Sequence, residues 1–382
     1  MKFDVLISGG GVVGITTALS LESLGLKVGL MVKHHESMMW SVPDGKQIYM
    51  LNGGSVNFLK KLGVWNLIAK TSIAEVSEIV ILGDRQDLIG FNALGENLSA
   101  LGYTIEKNEL IRALHKKLTN SNLIFRHNID VESLDTGPDQ ISVQLSDGEI
   151  LKSDLLVGAD SINSRIRKLA KIGSDTHDFQ QIALVFRIRA QHGGGIAYQW
   201  FRHEGEVLAL LPLADNQFGV VWSVSKKRGE NLLRGGKRLA SLELRSIVSH
   251  HVGECKIVDE FKYFPITSLK PNTVIGDRLV LVGDAAGTIH PMAGQGLNLG
   301  IRDALILSKA VGGDKRGSMH CKLRSYERRR AEKVAIMSCL TRGLHELFCL
   351  NGVSVSFLRG MGFSIFEKTQ ILKKLALNIA SN

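Results

Sequence analysis

Gly9, Gly11 and Gly14 spell G-x-G-x-x-G directly after an apolar run, Asp4 to Ser8, and directly before a helical segment, Ile15 to Leu24. In that context the first glycine allows a tight turn, the second lets backbone amides approach a pyrophosphate, and the third permits close helix packing. The helix N-terminus then presents partial positive charge to phosphate. Lys27 to Val32 follows as a second strand. A strand, turn, helix and strand joined this tightly form a βαβ unit, which requires a parallel sheet covered by helices. The motif alone also fits a plain turn, but its position and flanking strand favour dinucleotide binding. An acid that binds ribose is expected about 20 residues further on. The run from Val28 to Lys33 contains none, and Glu36 is the nearest carboxylate. Its absence removes a charge-assisted hydrogen bond of about 1.5 to 3 kcal/mol, unless a loop carrying Glu36 folds back.

Further along, Glu75 to Asn92 alternates as strands do, and Glu106 to Leu118 returns to a helical period through Leu110, Ile111, Leu114 and Leu118. Ile182 to Ala190, Ala197 to His203, Val207 to Pro212 and Phe218 to Val224 read as neighbouring antiparallel strands separated by Gly or Asp/Asn turns. Ile150 to Ala159 and Leu279 to Gly283 read as two more buried parallel strands, and the chain is helical after Tyr326. The expected fold is α/β: a Rossmann-like nucleotide-binding domain interleaved with an antiparallel β-sheet domain and followed by C-terminal helices. The expected division is 1–74, 96–178 and 266–325 for the first domain, 75–95 and 179–265 for the second, and 326–382 for the helical region.

Lys and Arg (47) exceed Asp and Glu (37) by 47 − 37 = 10, so an anionic partner is physically reasonable. The basic residues are dispersed, and the densest cluster, Arg328 to Arg330, sits among Glu327 and Glu332 and reads as a solvated helix face. Nucleic acid is therefore not expected, and weak attraction to anionic lipid accounts for the balance as well. Cys255, Cys321, Cys339 and Cys349 have neither CxxC nor Cys/His spacing, so no metal site is expected and free thiols in a reducing compartment are the default. The N-terminus reads as a buried strand rather than a signal peptide. No uncharged stretch reaches the roughly 18 to 20 residues that span a bilayer. The expected location is cytoplasmic, with at most peripheral contact at the inner membrane face.

Two more motifs follow. Gly158, Ala159, Asp160 and Ser161, with Ser164 and Arg167, join a buried strand to a helix, where Asp160 is either a ligand-facing acceptor or a helix N-cap. The segment RLVLVGDAAGTIHPMAGQGLNLGIRD, Arg278 to Asp303, ends a strand at Gly283 and Asp284 and opens a helix at Leu297 and Asn298. Asp284 can accept hydrogen bonds from sugar-alcohol hydroxyls. The glycine-rich loop can turn helix N-terminal amides towards an electron-rich ring edge.

In this order the three motifs resemble those of class A flavoprotein monooxygenases, and HPMAGQGLNLGIRD is similar to the version in ubiquinone-biosynthesis hydroxylases. The likeness covers nearly the whole chain, including DGKQIYMLNGGSVNFLKKLGVW, IEKNELIRAL and LALLPLADNQFGVVWSV. It implies a Rossmann-like FAD domain, a β-sheet substrate domain, and no separate NAD(P)H domain. Carried over, Gly9, Gly11 and Gly14 hold the FAD pyrophosphate, Arg112 contacts phosphate or ribose, and Asp160 lies near the cofactor. Gly283 and Asp284 take the ribityl chain, while Pro291, Gly294, Gln295, Gly296, Leu297 and Asn298 line the isoalloxazine. Lys46 belongs to the cofactor set but stands where many members have Arg, keeping the charge without the bidentate fork. Val32 stands where the ribose acid is usual.

The resemblance further implies that NAD(P)H reduces the flavin and that one atom of O2 is transferred to an electron-rich aromatic ring, here a prenylated phenol of ubiquinone biosynthesis. Other quinone-biosynthesis enzymes are expected partners. The same fold also admits a prenyl reductase-like oxidoreductase or a weakly flavinated scaffold; no W-x-W-x-I-P segment supports a halogenase. His290 is the one candidate for proton relay, although a lone histidine more often buttresses a loop. Phe186, Trp200, Leu210, Pro212 and Trp222 are candidate pocket residues with a competing assignment to the core. Phe348 to Ala380, with Arg359, Lys368, Lys373 and Lys374, either lies on a membrane, docks a partner, or packs on the core.

Overall fold

The computed structural model describes residues 2–33, 47–83, 87–290, 294–313 and 317–350, together with residues 367, 369, 373 and 374. Glu36, Lys46, Pro291, Arg359 and Lys368 lie outside the described residues.

The strand Lys2–Ser8 runs parallel between Val28–Val32 and Ile150–Gly158; Ile124–His127 adds beyond the former and Leu279–Leu281 beyond the latter. Val28–Val32 is buried at every position, as a parallel strand covered on both faces must be. Helix Val12–Glu22 is buried at nine of its 11 residues, because it lies between the sheet and the later helix Gly296–Gly312. The register pairs Ser8 with Gly158 and Met31, and Gly158 with Leu281. The carboxyl ends of all three motif strands therefore meet at one edge of the sheet, where ligands bind in open α/β sheets.

A second sheet contains Ser174–Ala190, Gln217–Ser225, Val207–Pro212 and Ile196–Phe201 in antiparallel order. Glu78–Leu82 joins it parallel to Ile196–Phe201, and Leu88–Asn92 extends it further. On the opposite side Lys262–Pro271 and Cys255–Ile257 both pair with the 17-residue strand Ser174–Ala190. A three-stranded sheet of Ile48–Leu51, Gly102–Glu106 and Ile73–Val76 bridges the two larger sheets.

The helix Lys226–Val252, to which the sequence reading assigns no element, packs on the back of the second sheet through Leu232, Ala240, Leu244 and Val248. Gly229, Gly235 and Gly236 interrupt its apolar period, and Gly236 adopts a left-handed φ of 61° that breaks the helix internally.

Helix Met319–Cys349 closes the chain against Gly296–Gly312, and its buried Phe348 stacks on Phe201 at 5.0 Å. Beyond it, Glu367 accepts the Gly90 amide at 3.0 Å and pairs with Lys373, which lies over the Phe91 ring. These contacts set Glu367 and Lys373 against the second sheet; of the stretch beyond 350 only residues 367, 369, 373 and 374 are among the described residues. Among the described residues no helix is long and apolar enough to cross a membrane.

Candidate active site

Three backbone hydrogen bonds lace the motifs together: Gly9 N to Met31 O at 2.9 Å, Ala159 N to Ser8 O at 2.8 Å, and Val282 N to Gly158 O at 2.9 Å. Gly9 holds φ at 125°, and a Cβ there would lie 2.2 Å from the Ala159 carbonyl oxygen. At Gly14 a Cβ would meet the Gly9 carbonyl oxygen at 1.9 Å. Gly11 differs: a Cβ on it would touch nothing within 4 Å, because its backbone faces open cleft. No side chain caps the helix that begins at Val12, so its first amides are available to an anion.

The third motif rests on a buried ion pair absent from the sequence reading. Asp303 accepts the Gly283 amide through Oδ2 at 2.9 Å, and the same oxygen takes Arg330 Nε at 3.0 Å. Tyr326 donates its hydroxyl to the Leu281 carbonyl at 2.8 Å. Arg330 therefore does not belong to the solvated face assigned to Arg328–Arg330. Arg328 and Arg329 are exposed, whereas Arg330 shares the inward face of its helix with Leu323 and Tyr326. That spacing of three and four residues was the available signal.

Asp284 stands above this pair, open to the cleft but enclosed on its other sides. Burial, and then the neighbouring Asp303 carboxylate, push its pKa above the usual carboxylate range. Burial and Asp284 likewise hold the Tyr49 hydroxyl well above its ordinary range. Asn298 is an internal staple: its Oδ1 accepts Asn52 N at 3.0 Å and Ser55 Oγ at 2.8 Å, and its Nδ2 donates to Met50 O at 2.9 Å. It thereby ties the helix Gly296–Gly312 to the link around Ile48–Leu51. Gly294, Gln295, Gly296 and Leu297 line the cleft, and a Cβ on Gly294 or Gly296 would again meet nothing within 4 Å.

The other expected residues take different places. Asp160 accepts Ser164 Oγ at 2.5 Å, Arg165 N at 2.7 Å and Ile166 N at 3.0 Å; the N-cap itself is Ser164, and Asp160 binds that cap and the first helical amides from upstream. Its neighbours Ala159 and Ser161 line the cleft instead. Arg112 lies on an exposed helix face, paired with Glu109, and does not line the cleft. Arg167, buried, bonds the Ala285 carbonyl at 3.0 Å and so fastens the second motif to the third. His290 is buried, with Nε2 3.2 Å from Gln181 Oε1 and its ring edge-on to Phe179 at 4.6 Å. That is a buttress between the third motif and the second sheet.

All of this surrounds a cleft of about 780 Å³ between the sheets. Its far wall is the alternate face of the second sheet: Ala183, Val185, Ala209, Leu211, Val221 and Ser223. The candidates Phe186, Trp200, Leu210 and Trp222 point the other way, into the core with helix Lys226–Val252. Pro212 does not line the cleft. The reason is the two-residue period of a strand: large side chains fill the back layer, and the small ones opposite them leave the volume open.

The residues fit FAD. Gly11, Gly294 and Gly296 open onto the cleft without side chains, the uncapped amino end of helix Val12–Glu22 borders it, and the Asp284 carboxylate lines it. Asp284 is exposed to the cleft, so solvent screens part of the cost of its charge, but the raised carboxylate pKa still means that stability falls as pH rises from the unfolded pKa through the folded one. Asp284→Asn should therefore make the flavin-free protein more heat-resistant at neutral pH, with the gain vanishing below the unfolded carboxylate pKa, while FAD affinity falls. Melting curves across pH and a flavin titration check both; equal melting of variant and parent at neutral pH would show that no such cost exists.

A model described as FAD binding domain matches residues 2–339. The chain is 30% identical over 388 residues to the 3-demethoxyubiquinol 3-hydroxylase of Escherichia coli K12, with 99% of this chain and 98% of that protein covered. It is 28% identical to the ubiquinone hydroxylase UbiL of Rhodospirillum rubrum, with 99% and 89% covered. Among solved structures, p-nitrophenol 4-monooxygenase PnpA of Pseudomonas putida DLL-E4 superposes with a TM-score of 0.80 at 16% identity, covering 100% of this chain and 99% of that one. With the fold, the three motifs and these likenesses in agreement, the chain belongs to the FAD-binding family of flavin-dependent hydroxylases that includes the ubiquinone hydroxylases.

Proposed function

We propose that this protein is an FAD-dependent monooxygenase that uses NAD(P)H and O2 to hydroxylate an aromatic ring, with a prenylated phenol of ubiquinone biosynthesis as substrate. The observation that carries this reading is the cleft itself. One wall gathers the flavin motifs, and the facing wall is a mostly apolar sheet surface that includes the small side chains of Ala183, Val185, Ala209 and Val221. Bound FAD supplies the redox and oxygen chemistry. The chain's own residues bind and enclose it. The turn at Gly9 to Gly14 takes the pyrophosphate, Asp284 takes the ribityl hydroxyls, and the backbone of Gly294 to Leu297 faces the ring. Ala183, Val185, Ala209 and Val221 exclude water from the reacting face and leave room for a flat ring with an apolar tail. The names of the relatives, 3-demethoxyubiquinol 3-hydroxylase and ubiquinone hydroxylase, support this substrate class. A lipid-like substrate and a net charge of +10 support work against an anionic membrane face, beside other enzymes of quinone biosynthesis.

The test is product analysis with FAD-loaded protein, NAD(P)H, a prenylated phenol and isotopically labelled O2. The expected product carries one labelled hydroxyl oxygen. A saturated prenyl chain without label would replace hydroxylation with reduction, and a protein that takes up no FAD would leave a scaffold. The far wall gives a second check. Ala209→Phe fills the space opposite the flavin loop and should lower hydroxylation by about tenfold or more, equivalent to at least about 1.4 kcal/mol in the barrier, with flavin content unchanged. Full hydroxylation by this variant would place the substrate elsewhere.

A further inference from the structure

A second cleft, of about 370 Å³, lies on the opposite side of the amino end of helix Gly296–Gly312 and shares Gln295 and Leu299 with the first. Its charged lining is lopsided: Arg302, Lys309, Arg329 and Lys333 stand against Glu332 alone. Among the described residues none of these four cations makes a side-chain hydrogen bond or ion pair. Arg302 is half-buried; burial pulls its pKa below the ordinary value, while Asp303 and Glu332 pull it back. A guanidinium held partly out of water with no hydrogen-bonded carboxylate, only the longer-range attraction of Asp303 and Glu332, carries a cost that an anion arriving from solution relieves. The amino end of helix Gly53–Lys61, at Gly54 and Ser55, adds partial positive charge to the same space. Phe58, Leu305, Ile336 and Met337 supply an apolar floor. The collection differs from the flavin cleft in both charge and position.

We infer that this second cleft binds a phosphate ester or diphosphate whose apolar or ring portion lies on that floor. Arg302 offers the planar fork that matches phosphate oxygens, and Lys309, Arg329 and Lys333 add point charges around it. Two sources share this chemistry. One is the reduced pyridine nucleotide, which rests on the proposed reaction; its phosphates would be anchored one helix end away from the flavin loop. The other is a phospholipid headgroup.

The experiment is calorimetric titration of inorganic pyrophosphate into the FAD-loaded protein, the Arg329→Gln/Lys333→Gln double variant and Arg302→Gln. The double variant changes one exposed residue and one half-buried residue outside the flavin cleft, so it guards against a misfolded Arg302→Gln. Pyrophosphate should bind the parent, bind the double variant at least about tenfold more weakly, and weaken in the parent with added salt; flavin content and melting should be unchanged. A parallel rise in KM for NAD(P)H at constant kcat identifies the nucleotide. Loss of flotation with phosphatidylglycerol vesicles identifies the headgroup. If neither changes while pyrophosphate binding is lost, the site holds and its ligand is a free phosphate ester. No binding to the parent, or equal binding to parent and double variant, overturns the inference. Because pyrophosphate binding and vesicle flotation do not require turnover, a failure here is distinct from a failure of the proposed activity.

Discussion

Gly11→Ala should fold as well as the parent and bind FAD at least about tenfold more weakly, a loss of about 1.4 kcal/mol or more. Gly14→Ala should instead destabilise the protein by about 3 kcal/mol or more, since overpacking by one methyl already costs about 1 to 3. The contrast comes from geometry. Gly11 has φ −76° and ψ 179°, which alanine adopts freely, and its Cβ would enter empty cleft at the place a pyrophosphate must approach. At Gly14 the added carbon would sit 1.9 Å from a carbonyl oxygen of the same turn, so the backbone itself must move. Thermal melts together with FAD titration separate the two. A Gly11→Ala protein that keeps parental affinity would remove the pyrophosphate from this turn.

The largest stability loss is expected from Arg330→Met. Removing one partner of a buried ion pair leaves the other charge uncompensated, at a cost of about 3 to 5 kcal/mol. Here the residual charge is Asp303, whose pKa burial raises and Arg330 lowers. Without Arg330 it rises further. The sign follows: a carboxylate with a folded pKa above its unfolded value makes the folded state bind more protons, so the variant's stability falls as pH increases from the unfolded carboxylate pKa towards the folded one. The variant should approach the parent in acid and diverge from it at neutral pH. Asp303→Leu/Arg330→Met, which removes both charges, should recover a large part of the loss. Urea unfolding of the three proteins at two pH values measures this. A pH-independent difference would mean that packing of the Arg330 stem, rather than charge, is what the pair contributes.

Much of this molecule was legible before any coordinates. Gly9, Gly11 and Gly14 sit where only a strand, turn and helix can put them, and Gly283–Asp284 ends a strand whose burial its apolar run announces. What the sequence could not settle was direction. Both faces of the second sheet are apolar, so Phe186, Trp200, Leu210 and Trp222 compete with Ala183, Val185, Ala209 and Val221 for the ligand side. The helix that decides the matter, Lys226–Val252, is masked by its own glycines. Charge misled in a similar way. Arg328, Arg329 and Arg330 look alike as a run, yet helical spacing from Leu323 and Tyr326 turns only the last inward, to a partner 27 residues away. Asp160 and Arg112, placed at the cofactor by resemblance, are engaged by a helix end and by Glu109, because local hydrogen bonds are already within reach.

Crystals soaked with FAD provide the most direct measurement. Density is expected for an isoalloxazine against the backbone of Gly294 to Leu297, a ribityl chain at Asp284, and a pyrophosphate at the amides following Gly11. A cleft closed by its own side chains, or a flavin bound away from Asp284, would contradict this placement.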